Sequence, residues 1–124
     1  MRLPAILATL AVMVLACPAS ALQGWDRTPT GVPINASFGD QHRPVSITDG
    51  SGGAFIVWID VRSGSYDLYA NHVTAAGTVL WGAGGKPICT APGIQELPKL
   101  CQDAQSGFLV TWEDGRGGNY GISA

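Results

Sequence analysis

Charged side chains are scarce in this sequence, at 13% of its 124 residues, against about 25% in an average soluble domain. Seven lysines and arginines stand against nine carboxylates, which gives a net charge of -2 at neutral pH. The basic residues form no cluster, although nucleic acids and anionic membrane surfaces are held chiefly by clustered lysine and arginine. The composition therefore excludes both as electrostatic partners.

Metal-ligating side chains are equally few, with two histidines and three cysteines in the whole chain. His42 and His72 lie far apart, and Cys89 is a poor third ligand, so the spacing argues against a zinc site. Asp49 precedes a glycine-rich turn, but the alternating carboxylates of a calcium loop do not follow it. We therefore expect no metal.

Signatures of catalysis and of nucleotide binding are also lacking. Residues 82–87 resemble a phosphate-binding loop only superficially, because Pro87 stands where a serine or threonine would bind magnesium and the leading glycine is absent. No Gly-x-Ser-x-Gly nucleophile turn occurs. We therefore expect no cofactor and no catalytic residues.

The N-terminal segment has the pattern of an export signal. Arg2 is followed by an apolar run over residues 5–16 that only Thr9 interrupts, and a small-x-small cleavage site ends at Ala21. The run is too short to cross a bilayer core of about 30 Å as a helix. It predicts a signal peptide over 1–21 and a mature chain over 22–124 that is secreted, periplasmic or at the cell surface. An alternative is lipidation at Cys17, since residues 14–17 resemble a lipoprotein cleavage box, and only then would the protein be anchored to a membrane.

What the chain does contain is an internal repeat. Residues 31–70 and 85–124 align without a gap at an offset of 54, and 14 of the 40 positions are identical. A fixed period near 50 is typical of arrays, in which each supersecondary unit buries its apolar face against a copy of itself.

Each copy has the pattern of short strands joined by tight turns. Apolar, β-branched and aromatic runs at 44–49 and 54–60 flank a glycine turn, which indicates a hairpin. Further strands are predicted at 67–74 and 78–81, and again from Pro98. Outside the first 21 residues no long stretch has the 3.6-residue period of a helix. Four strands in about 50 residues are the content of one β-propeller blade.

The predicted fold class is therefore all-β, with tandem four-stranded antiparallel β-propeller-type blades. We interpret 22–38 as the last strand of a preceding blade, 39–92 as blade 1 and 93–124 as partial blade 2. The second copy stops where the first continues in a strand, so the sequence predicts an incomplete array of under two whole blades. A truncated reading frame or a fragment of a longer array would explain this end.

The repeated motif has the form Trp-x-Asp-x-Arg-x-Gly-x-x-Asp-x-Tyr-Ala over residues 58–70. It resembles a repeat of uncharacterised exported bacterial β-propeller-like proteins. The resemblance covers nearly all of the mature chain and implies a secreted or surface blade array, but little about chemistry. Gly121 and Ser123 depart from the motif, so their counterparts Asp67 and Tyr69 are poor candidates for an obligatory site.

The repeated polar residues invite two interpretations. Asp60 with Arg62, and Asp114 with Arg116, can form ion pairs at strand ends because residues i and i+2 share one side of a strand. The arginines would either bind anions bidentately or fix the connection to a neighbouring strand or blade. Recurrence in both copies favours the structural role, since an active site usually breaks repeat symmetry.

Two further features remain open at this stage. Trp58 and Trp112 also recur, and packing between blades is favoured over stacking on a sugar. Cys89 and Cys101 can form a disulfide in an oxidising compartment, although their counterparts in the first copy are Asn35 and Ile47.

The function expected from the sequence is a secreted or cell-surface, non-catalytic binding or scaffold module. Its partner would be an unknown protein or a glycan, and the unpaired edge of the cut blade would allow self-association. One alternative is a fragment of a secreted propeller enzyme, glycan-cleaving or quinone-dependent, whose catalytic residues lie in missing blades. Another is a nonfunctional product of a broken gene.

Overall fold

The computed structural model describes residues 31–124, which are all-β, with two antiparallel sheets and no helix. The first sheet has four strands in the order of the chain, and the second has three. The strands of the first are β1 (Gln41–Thr48), β2 (Ala54–Asp60), β3 (Asp67–Val73) and β4 (Lys86–Cys89). Those of the second are β5 (Gln95–Gln102), β6 (Phe108–Asp114) and β7 (Gly121–Ser123). The all-β class predicted from the sequence is confirmed for these residues.

The signal peptide over 1–21, the lipidation site Cys17 and residues 22–30 of the predicted last strand lie outside the described residues. Residues 31–38, the described part of that strand, form no strand. They instead contact the end of the first sheet, where the backbone N–H of Ala36 donates to the carbonyl oxygen of Ala83 at 2.8 Å. Among the described residues no helix is long and apolar enough to cross a membrane.

The first hairpin is closed by an aspartate. The Asp49 carboxylate accepts from the backbone N–H groups of Ser51 and Gly53, both at 2.8 Å, which is the local bonding by which aspartate stabilises turns. Gly50 and Gly52 both have positive φ, a conformation that costs glycine little. The tight turn places β1 beside β2 in register.

Strand β2 is buried on both of its faces. Val57 and Ile59, which share one face, are fully buried, and Trp58 on the opposite face is 3% exposed. A strand covered on both sides has a continuous apolar run, which is the pattern over 54–60. The sequence therefore identified one of the two inner strands of the first sheet and both ends of that strand.

The strand predicted at 78–81 is wrong. One isolated bridge, Val73 to Val79, joins this segment to the end of β3, through hydrogen bonds from the Thr74 N–H to the Thr78 carbonyl at 3.0 Å and from the Leu80 N–H to the His72 carbonyl at 2.8 Å. Beyond it the side chain of Asn71 replaces the backbone ladder, since its amide oxygen accepts from Trp81 N–H at 3.1 Å and its Nδ2 donates to the Gly82 carbonyl at 2.7 Å. The position beside β3 is occupied by β4, where Pro87 is the partner of Tyr69.

The second sheet has the register of the first, 54 residues later. Gln41 lies opposite Asp60 and Gln95 opposite Asp114, and the remaining pairs of β1–β2 and β5–β6 correspond in the same way. Each first strand is interrupted by one irregularity, at which a non-glycine residue, Arg43 or Leu97, has φ of 53°. Strand β5 begins at Gln95, so the strand predicted from Pro98 starts three residues earlier.

The two sheets pack face to face through a small apolar core. Ile59 and Leu68 from the first sheet contact Trp112 from the second, with all three side chains buried. Tyr66, Ile88, Cys89 and Val110 pack around them. The backbone also joins the sheets, because the Gln95 N–H donates to the Tyr66 carbonyl at 2.9 Å.

Candidate functional site

The repeated Trp-x-Asp-x-Arg motif forms a closed cluster at the end of β2. The Asp60 carboxylate is fully buried and accepts from the Trp58 indole N–H at 2.9 Å and from Arg62 Nε at 2.8 Å. It also accepts from the Arg62 backbone N–H at 3.0 Å. A second guanidinium nitrogen, Nη2, bonds both Asp60 and the Gly84 carbonyl, the latter at 2.9 Å. The side chain thus links the end of β2 to the turn before β4.

The same cluster recurs at the end of β6. The Trp112 indole N–H donates to Asp114 at 3.0 Å, and the Arg116 backbone N–H and Nε donate to that carboxylate at 3.1 and 3.0 Å. Nη2 of Arg116 also contacts both Asp114 and the sulfur of Cys89, the latter at 3.7 Å. Both predicted ion pairs are therefore bidentate, and each guanidinium is already bonded to a carboxylate of its own motif.

The surroundings of the two carboxylates change their acidity. Burial raises the pKa of Asp60, but hydrogen bonds from Arg62 and Trp58 outweigh it, so the net pKa lies below the ordinary value. The hydrogen bonds from Arg116 lower the pKa of Asp114 despite its partial desolvation. Both groups are charged near neutral pH, which maintains the ion pairs.

A second polar cluster lies at the opposite end of the first sheet. His72 Nε2 is 2.8 Å from the Asp49 carboxylate, and the imidazole stacks on the Phe55 ring with centroids 4.3 Å apart. The hydrogen bond from His72 lowers the pKa of Asp49, and the backbone N–H of Ser51 adds to this effect. The contact joins the β1–β2 turn to β3. It has no counterpart at Asp103, whose carboxylate accepts from the Gln105 and Gly107 backbone N–H groups at 2.8 and 2.6 Å.

Apart from the contact of His72 with Asp49, the structure does not bring the candidate metal ligands His42, Cys89 and Cys101 together. His42 packs edge-on against Tyr66, with ring centroids 5.1 Å apart, and in residues 31–124 no three histidine, cysteine or acidic side chains cluster. Cys89 and Cys101 are both free thiols, the first half-buried and the second exposed. The disulfide that the sequence allowed is therefore absent from the structure.

A cavity that the sequence did not indicate lies on the face of the first sheet that points away from the second. It is an open cleft with a volume of about 300 Å³, at the lower end of the range for small-ligand pockets. Its apolar wall is formed by Ile34, Pro44, Ile56 and Trp58, and polar side chains of Asn35, Gln41 and His42 complete the lining. We call it the acceptor pocket. Several of its residues are identical in the two copies, and this was the one signal that could have marked it.

Comparisons of the chain with protein-family models, with curated proteins and with solved structures give no match. The chemistry open to the site follows from its own geometry. The charged groups of the repeated motif are paired with one another, whereas the acceptor pocket has an apolar wall and the polar side chains of Asn35, Gln41 and His42. That arrangement suits the burial of apolar side chains better than acid–base or nucleophilic chemistry.

Proposed function

We propose that this protein is an exported, secreted or surface-bound, non-catalytic scaffold module built from β-propeller-type blades. Each antiparallel sheet is one blade or part of one, and the protein acts by presenting the faces of its sheets to a partner. The observation that carries the proposal is the pairing of the repeated charges. Arg62 and Arg116 each form a bidentate bond with the aspartate two residues before them.

The second line of support is the way the sheets use their apolar faces. The face of the first sheet that carries Ile59 and Leu68 is buried under Trp112. The far face of the second sheet carries Leu109 and Ile122, which are 59% and 77% exposed. An array in which each sheet is covered by the next has this distribution of buried and exposed apolar side chains.

A test of the structural role of the arginines uses anions as probes. Thermal melting would be measured in inorganic phosphate and in chloride at equal ionic strength. We expect no specific rise in melting temperature with phosphate, because the guanidinium groups are already bonded. Arg62→Ala should lower the free energy of unfolding by about 2–3 kcal/mol, because it leaves the buried Asp60 carboxylate without its charged partner, and Arg116→Ala should lower it less. A phosphate-dependent rise that either substitution abolishes would make the arginines a binding site and overturn the proposal.

Export is tested separately by intact mass. The full chain, expressed with a C-terminal epitope, should be recovered outside the cytoplasm with Leu22 as its first residue. A lipid-modified Cys17 at the N-terminus would instead establish the anchored form. Cytoplasmic retention of a chain that still begins at Met1 would refute export.

A further inference from the structure

We propose that the acceptor pocket binds the far face of the second sheet of another copy of this protein, so that copies associate head to tail. The inference rests on the proposed scaffold role and names its partner. It is drawn from the contact between the two sheets of a single chain, which provides a template for the contact between chains.

The acceptor pocket corresponds to the internal sheet–sheet interface. Ile34, Asn35, Ile56 and Trp58 line the pocket, and their counterparts 54 residues later are Ile88, Cys89, Val110 and Trp112. Trp112 belongs to the core between the sheets, and the other three counterparts are partly buried and pack against that core. The pocket is thus the surface that, one repeat later, receives an apolar face.

The groups that occupy the internal interface identify the matching surface. Tyr66, Leu68 and Ile59 of the first sheet pack against Trp112. Their counterparts are Tyr120, Ile122 and Glu113, which we call the insertion patch. Tyr120 is 56% exposed and Ile122 is 77% exposed, so the two largest apolar members of the patch are open to a partner.

The backbone offers a matching bond. Within the chain, the Gln95 N–H donates to the Tyr66 carbonyl, and the corresponding bond between copies would join the Gln41 N–H to the Tyr120 carbonyl. Pocket and patch lie on different sheets of one chain, so the contact is heterologous. A heterologous contact generates rings or open chains rather than a closed two-fold dimer.

One residue of the insertion patch opposes the association. Glu113 stands where the internal interface has Ile59, which is fully buried. Burying a carboxylate against an apolar wall is costly unless it is paired. The head-to-tail contact should therefore be weaker than the internal one, and Glu113→Ile should strengthen it.

The experiment is sedimentation velocity over a range of concentrations, on the full chain expressed with its N-terminal segment and purified as the cells process it. We expect the average mass to rise with concentration beyond that of a dimer. Ile122→Asp should weaken association at least about tenfold, because one large apolar side chain no longer becomes buried. Glu113→Ile should strengthen it by about the same factor. Leu80→Asp is the matched control, because Leu80 is 50% exposed and lies in neither surface.

Mixing two variants distinguishes this contact from other modes of association. Ile56→Asp damages only the pocket, and Ile122→Asp damages only the patch. If circular dichroism shows that Ile56→Asp fails to fold, Ile34→Asp takes its place. Each should be monomeric alone, whereas an equimolar mixture should form a dimer and nothing larger.

Three results would overturn the inference: a wild-type monomer at every concentration, a mixture that stays monomeric, or variants that associate as strongly as the wild type. Variants that associate as strongly as the wild type would point to pairing through the edge of a sheet. If melting stays insensitive to phosphate and export is found, the scaffold role survives any of the three.

Discussion

The Trp-x-Asp-x-Arg clusters of the two sheets have the same internal bonds but different surroundings. In both, the indole N–H, the arginine backbone N–H and the guanidinium converge on one carboxylate. The Arg62 side chain is only 24% exposed, however, and that of Arg116 is 53% exposed. The bonds within the motif thus depend only on neighbouring residues in the chain, whereas the burial of the arginine depends on contacts from the rest of the sheet.

The first sheet supplies two contacts that the second lacks among the described residues. Arg62 reaches the Gly84 carbonyl before β4, and its guanidinium lies 3.9 Å from the centroid of the Tyr69 ring. At the position of Tyr69 the second sheet has Ser123. A cation over an aromatic face in a partly desolvated site adds attraction that an exposed guanidinium does not have. The same sequence motif should therefore contribute more to stability in the first sheet than in the second.

The largest expected effect comes from removing the carboxylate. Asp60→Ala leaves the buried Trp58 indole N–H and the Arg62 guanidinium without their main acceptor, and we expect a loss of about 3 kcal/mol or more in the free energy of unfolding. Asp114→Ala is the matched variant and should cost clearly less, because its arginine is open to water. Urea denaturation of the two variants checks the difference. Equal losses would mean that burial does not distinguish the two clusters.

A smaller difference is expected at the paired hairpin turns. A Cβ at Gly53 would clash with the Val73 carbonyl oxygen, whereas the three atoms nearest to one at Gly107 all belong to the Asp103 side chain, the first at 2.5 Å. Backbone cannot move aside as a side chain can, so Gly53→Ala should cost about 1–3 kcal/mol and Gly107→Ala less. Thermal melting of both variants measures the difference. An equal or greater loss in Gly107→Ala would show that the Asp103 turn is as rigid as its counterpart.

Strand β2 could be predicted to the residue because its signals are local. An apolar run ends at Asp60 and begins after a glycine turn, so sequence alone delimits it. Strand β4 could not be predicted, since Pro87 is a poor strand former and the strand exists only as a partner of β3. The segment at 78–81 has a better strand pattern, but its pairing with β3 stops after one bridge, because the Asn71 side chain accepts the Trp81 N–H. Here a tertiary contact overrode local propensity.

In the candidate site, too, the local contacts could be predicted from the sequence and the long-range ones could not. The ion pair of Asp60 with Arg62 followed from the spacing of two residues on one strand. The acceptor pocket combines Ile34 from outside the sheets with residues of β1 and β2. No spacing in the sequence brings Ile34 next to Trp58, so the pocket became visible only once the fold was known.

The third comparison concerns the glutamine that begins the first strand of each sheet. Gln95 is fully buried, and neither atom of its side-chain amide has a hydrogen-bond partner among the residues that the structure describes. Gln41, its counterpart, donates to the Gly39 carbonyl at 2.7 Å. Gln95→Met should therefore raise the free energy of unfolding by about 1 kcal/mol, because it removes an uncompensated desolvation cost. Gln41→Met should be close to neutral or slightly destabilising. Chemical denaturation checks both, and destabilisation by Gln95→Met would show that the amide is bonded in solution.

The smallest effect is expected at the turn that only the first sheet fastens with a histidine. The pKa of Asp49 lies below its ordinary value of 3.8, chiefly because of the hydrogen bond from His72. A lowered folded-state pKa contributes stability that is present above the unfolded value and is lost as pH falls through the folded value. His72→Gln removes the first cause, so the Asp49 pKa should rise toward 3.8 and stability should fall less steeply below pH 4.

Carboxyl carbon resonances followed by NMR between pH 6 and 2 measure this shift directly. Asp103 serves as the internal reference, because it closes the matching turn without a histidine. The stabilities of wild type and variant should differ most near neutral pH and converge at low pH, where Asp49 is protonated in both proteins. An Asp49 titration that the substitution leaves unmoved would show that the turn's own N–H groups, which Asp103 shares, are sufficient to hold the carboxylate.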